Sequence, residues 1–145
     1  MATVTTYLKE GTPALMGTRL VAYNQYVFDF AVVNITAADI HTIWQCPTDY
    51  VVFAAGYKIL TAETAGGACT LDLGKAGGTE LLSAIDLTAA ANTKGIQTFT
   101  TPVAFTGSDT IDLQVNTTDA DDGKVLVWWI GVDVTPTNTV NDAAV

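Results

Sequence analysis

The side chains that could carry chemistry are few and widely spaced. The chain holds one histidine, His41, two cysteines, Cys46 and Cys69, and two serines, Ser83 and Ser108. Serine hydrolysis needs a hydroxyl held on a sharp turn between glycines. Ser108 sits in Thr106-Gly107-Ser108-Asp109-Thr110 and lacks that bracket, and Ser83 stands between Leu82 and Ala84. His41 could serve Cys46 or Cys69 as a base. A lone histidine near a strand reads instead as a surface or satisfied core residue. Zinc needs three or four converging ligands, and no such cluster is visible. Asp119-Ala120-Asp121-Asp122-Gly123 gathers three carboxylates and raises the question of calcium. It departs from the EF-hand loop, because Gly123 and Lys124 stand where Asp or Asn and then Gly belong. It reads as a polar hairpin turn ending in glycine, with a weak calcium site as the alternative. Gly74-Lys75 fails as a phosphate loop, with Cys69 in place of the first glycine and Ala76 in place of Ser or Thr. The three glutamates, Glu10, Glu63 and Glu80, fall in loops or near termini. The chain therefore predicts no enzyme, cofactor, metal or small-molecule substrate.

Charge narrows the partners. Fifteen acidic residues face six basic ones, for a net charge of −9. The cations Lys9, Arg19, Lys58, Lys75, Lys94 and Lys124 are scattered along the chain. Nucleic-acid binding needs clustered Lys and Arg to displace counterions, and anionic membranes attract basic segments. Neither partner is expected. Met1 to Leu8 has no basic start followed by an apolar run, so no export signal is expected. The apolar stretches Tyr50 to Leu60 and Val125 to Val134 are too short for a membrane helix. Two cysteines without export read as free buried thiols.

The elements that would position these residues are strands. About one residue in six is threonine, which favours a pleated, half-buried surface. Alternation and turn residues predict about eight strands: Tyr26 to Ile35, Ile40 to Gln45, Tyr50 to Leu60, Ala68 to Leu73, Leu81 to Leu87, Gln97 to Phe105, Thr110 to Val115 and Lys124 to Val134. Gly56 is expected at a bulge or bend, and Pro102 marks Gln97 to Phe105 as an edge. Thr79 to Ala91 is the nearest approach to a helix. Asp72, Asp86 and Asp112 each stand between inward apolar residues and are expected to face solvent. Turns at Gly66-Gly67, Gly77-Gly78, Asn92 to Gly95, Gly107 to Asp109 and Asp119 to Gly123 separate the strands. The fold class is all-β, a jelly-roll-like β-sandwich spanning residues 21–134. Residues 1–20 read as an extended N-terminal arm and 135–145 as a loose tail.

One strand carries too much apolar surface. In Val125-Leu126-Val127-Trp128-Trp129-Ile130 the adjacent indoles must point to opposite faces. One belongs to the core. Removing the other from water is worth roughly 2–3 kcal/mol, which a partner surface or another part of the chain could supply.

The run Ala68-Cys69-Thr70-Leu71-Asp72-Leu73-Gly74, then Leu81 to Leu87 after a Gly-rich turn, then Asp109 to Asn116 and a closing strand, resembles virion structural proteins of tailed bacteriophages. The likeness spans Tyr50 to Val134. Such proteins include capsid decoration, or cement, proteins that form trimers on the capsid lattice. The resemblance implies a homotrimer, made in the host cytoplasm, that binds the outer surface of a capsid and bridges major capsid protein subunits. Trp128 or Trp129 would lie at a subunit interface. Tyr7, Leu8, Leu15 and Met16 on the arm would meet sister subunits or the shell. The alternative is a tail or head-fibre module recognising surface glycans through exposed aromatics, among them Trp44 and Tyr57.

Overall fold

The structure, a computed structural model, describes residues 22–64 and 66–136. The expected arm, with Tyr7, Leu8, Leu15 and Met16, lies outside the described residues, as does all of the tail beyond Pro136. Eight strands are present: β1 (Ala22–Asp29), β2 (Ile40–Gln45), β3 (Asp49–Thr61), β4 (Thr70–Gly74), β5 (Leu82–Asp86), β6 (Lys94–Thr106), β7 (Thr110–Asn116) and β8 (Lys124–Asp133). They form two antiparallel four-stranded sheets, ordered β1-β8-β3-β6 and β2-β7-β4-β5. First pairs with last, second with seventh, third with sixth and fourth with fifth. This is one long hairpin rolled into a sandwich, the jelly roll of eight strands.

The inner faces of both sheets make the core. Val125, Val127 and Trp129 of β8 alternate inward and meet Leu71, Leu73, Ile111, Leu113 and Val115 from the opposite sheet. An aromatic chain crosses the gap: Trp129 stacks on Tyr26 with ring centroids 5.7 Å apart and packs on Trp44 at 5.8 Å, and Trp44 meets Tyr50 edge-on at 4.7 Å. Such pairs add about 0.5–1.5 kcal/mol each beyond the area they bury.

Several expectations need correction. The first strand ends at Asp29 rather than Ile35, because the Asp29 carbonyl accepts bonds from the amides of Val32 and Val33 and turns the chain. Thr79 to Ala91 contains no helix; Leu82–Asp86 pairs with β4 as a strand. Gly56 is not a bulge. Register shifts in β3 fall between Val52 and Ala54, at Phe53, and, against β8, between Ile59 and Thr61. Asp112 is buried rather than solvent-facing and accepts a bond from the Thr110 hydroxyl at 2.9 Å. A bulge in β2 between Thr42 and Trp44 falls opposite Asp112 and Ile111, where simple alternation fails. The edge position of the Pro102 strand, β6, is as expected.

Candidate functional site

The candidate catalytic groups do not converge. His41 lies within β2 and Cys46 just past its end, five residues on and roughly 16 Å along an extended chain. Cys46 and Cys69 are buried free thiols. Burial pushes Cys46 up to about 12, with Asp109 reinforcing it, and pushes Cys69 up to about 11, with Glu63 next in effect. Both stay protonated at neutral pH, and the thiolate is the nucleophile. Ser108 is held by the hydroxyl of Thr106 at 3.0 Å, and Ser83 is exposed on β5.

The acidic loop 119–123 is an internal fastening. Glu63 is buried, and its carboxylate accepts the amide of Gly123 at 2.9 Å, of Asp121 at 3.2 Å and of Asp122 at 3.3 Å. Burial, more than any other cause, raises its pKa. Asp122 accepts the amide of Thr64 at 2.8 Å and also the Thr64 hydroxyl, which holds its carboxyl below the usual range. Asp119 accepts the amide of Ala37 at 2.7 Å. Glu63, Asp121 and Asp122 do lie close enough to share an ion. Two of the three are already engaged with the backbone, as a polar turn requires.

What distinguishes the molecule is the outer face of the β1-β8-β3-β6 sheet. Antiparallel sandwiches ordinarily turn polar residues to solvent. Here β8 presents Leu126, Trp128, Ile130 and Val132 outward, between its buried positions. The strand register sets side chains in rows across the four strands. One row is Tyr23, Ile130, Ala54 and Thr98; the next is Gln25, Trp128, Gly56 and Ile96; the third is Val27, Leu126, Lys58 and Lys94. Tyr23 is 56% exposed, Val27 51% and Ile96 66%. Phe53, at the bulge, is 43% exposed.

Trp128 lies in the middle of this face, half-buried against its own sheet. The glycine at position 56 is what admits it. A Cβ there would stand 2.5 Å from the indole Cε2 and 2.7 Å from the carbonyl oxygen of Gly95. Tyr23 packs on the indole with centroids 5.9 Å apart. The two indoles thus face opposite ways. Trp129 is 0% exposed, enclosed by its own chain, so the interface expectation narrows to Trp128. Beside the indole is a cleft of about 380 Å³, bordered by Tyr23, Lys58, Lys94, Ile96 and Leu126. A second apolar recess of about 300 Å³ lies between Val27, Val32, Val33, Ile35 and His41. Val27 belongs to both the sheet face and this recess.

Two solved phage capsids contain chains of the same fold. A chain in the capsid asymmetric unit of cyanophage Pam1 is 23% identical, with a TM-score of 0.51 over 77% of this chain and 82% of that one. A chain in the acid-stable capsid of the Helicobacter pylori bacteriophage KHP30 is 9% identical, with a TM-score of 0.57 over 84% of this chain and 94% of that one. No protein-family model and no curated protein matches the sequence.

Sequence reasoning offered Trp128 or Trp129 without choosing between them, and missed Tyr23, Lys58, Lys94 and Ile96 beside the outward indole. The signal was present in β8, whose even-numbered positions are as apolar as its odd ones. Lys58, Lys94 and Ile96 become neighbours only through the β3–β6 register, which no local pattern encodes.

Proposed function

We propose that this chain is a non-enzymatic virion component that binds the outer surface of a phage capsid and stabilises the shell by bridging major capsid protein subunits as a homotrimer. The observation that carries the reading is the apolar outer face of the β1-β8-β3-β6 sheet on a jelly roll of the kind found in the two phage capsids. An exposed, contiguous apolar surface marks a place where protein is covered by protein. Among the described residues both thiols are buried and protonated, and the carboxylates of Glu63 and Asp122 brace the backbone around the acidic loop.

In this reading the mechanism is mechanical. Each copy adds modest contacts at joints between capsid proteins, and their sum raises the work needed to part the shell. The arm, residues 1–20, crosses those joints. Mixing the purified protein with undecorated, expanded capsids and imaging the product tests this. Ordered extra density at fixed lattice positions is the expected result. Bare capsids at saturating protein would overturn it.

A further inference from the structure

Four cations fall among the described residues, and two of them are already spent. Lys75 pairs with Asp109 at 3.3 Å and Lys124 with Asp29 at 2.6 Å. Lys58 and Lys94 stand directly opposite each other on β3 and β6, and among the described residues neither has a carboxylate within ion-pair distance. Like charges facing across a sheet oppose folding. On a chain with fifteen acidic residues this arrangement is unexpected unless something anionic sits against it. Both lysines border the Trp128 cleft, whose other walls include Tyr23, Tyr57, Ile96 and Leu126. The cleft thus offers apolar floor and positive rim together.

We propose that this cleft receives an acidic surface of a second copy of the same chain. The inference rests on the assembly reading above and names the contact that would build it. Charge decides the occupant. At −9, every copy repels its neighbours, so self-association needs a local site of opposite sign, and the Lys58–Lys94 pair supplies one. The same chain supplies the complement, with Asp39, Asp86 and Asp121 all exposed. None of these carboxylates lines the cleft, so the contact is head-to-tail. Such contacts close into rings, which is how three copies would satisfy all three clefts. Burying Trp128 and Ile96 supplies affinity, and the lysines set which surface may dock.

The test is sedimentation of the full chain across a concentration series at low and high salt, with the double variant Lys58→Glu/Lys94→Glu and the single variant Ile96→Asp alongside. The expected result is a wild-type oligomer whose dissociation constant rises at least tenfold between about 50 and 500 mM salt. Both variants should run as monomers with far-ultraviolet spectra and melting curves of folded protein. Ile96 is exposed on an edge strand, so its variant keeps the fold if the charge-reversed one does not. A double variant that assembles like wild type, or a wild type that is monomeric at tens of micromolar, overturns the inference. Capsid imaging separates the two claims. Decoration by wild type together with unchanged assembly of the variant sinks the cleft contact alone. Assembly through the cleft beside bare capsids sinks the capsid reading alone.

Discussion

Gly56→Ala is the smallest change that should disturb the outer face. The added methyl would lie 2.5 Å from the Trp128 Cε2 and 2.7 Å from the Gly95 carbonyl oxygen, against a contact optimum of about 3.5 Å. The indole must therefore shift by about 1 Å, and it can do so only by tipping outward from Tyr23. The carbonyl belongs to the β3–β6 ladder and has less freedom to move. Overpacking of this kind costs about 1–3 kcal/mol, and a collision with both a ring and a ladder carbonyl places it at about 2–3 kcal/mol. For a domain of this size the melting temperature falls by about 6–12 °C. Urea denaturation of Gly56→Ala, Trp128→Ala and the double variant measures it. In the Trp128→Ala background only the carbonyl remains in the way, so the cost of the methyl should drop to about 1 kcal/mol, and the difference is the coupling between the two sites. An equal cost in both backgrounds would show that the indole is not what position 56 accommodates. Intrinsic fluorescence gives a second readout, since a tipped Trp128 emits at longer wavelength than one lying on the sheet.

Three further outcomes follow from the loops. Glu63→Ala strips the acceptor from three backbone amides and should cost about 2–4 kcal/mol, whereas Glu63→Gln keeps one acceptor oxygen and costs less; equal urea midpoints for the two would contradict the amide-accepting role. Thr117 holds φ at 77°, a region β-branched residues avoid, so Thr117→Asn should raise stability by about 0.5–1 kcal/mol in thermal denaturation. Acid should act in two stages. The Thr106 amide first, and then Lys75, hold the Asp109 carboxyl low, and Thr64 does the same for Asp122. Groups depressed in the folded state stabilise it above the ordinary carboxylate pKa of about 4, and that contribution is lost as pH falls through their folded values. Glu63 is raised by burial, so its protonation on mild acidification favours the folded form. Urea midpoints should hold or rise slightly from pH 7 to 5 and fall steeply below about pH 4; a steady decline from pH 7 would refute the assignment.

Much of the fold was legible because its strands obey one period. β2, β7 and β8 begin and end within a residue or two of where alternation and turn residues place them. Pro102 announced an edge strand correctly, since an edge has no second ladder for its missing amide to serve. The failures have physical causes. Phe30-Ala31-Val32-Val33 is apolar enough to continue β1, but the Asp29 carbonyl draws two amides back into a turn, leaving Val32 and Val33 exposed. Asp112 looked solvent-facing because alternation assigns it to the outer face of its strand, while its burial depends on neighbours that alternation does not show. Gly56 looked like a bend because a glycine in a strand signals close approach as readily as curvature, and only the opposite side chain tells which. The candidate surface was half legible. Paired indoles announced an outward Trp, yet the lysines beside it are thirty-six residues apart in the chain and meet only through pairing.

The last strand of the domain occupies the interior of its sheet, between β1 and β3. Until Lys124–Asp133 has been synthesised, those two flanking strands have no partner on the sides that β8 will fill. A nascent chain leaving the ribosome at about 5–20 residues per second therefore spends several seconds with two open ladders and the aromatic core exposed. Closing this sheet must wait for β8, and pairing strands so distant in the chain is slow. Any truncation before Lys124 should yield not a shorter domain but an aggregating one, because the edges of β1 and β3 that β8 pairs would stand open.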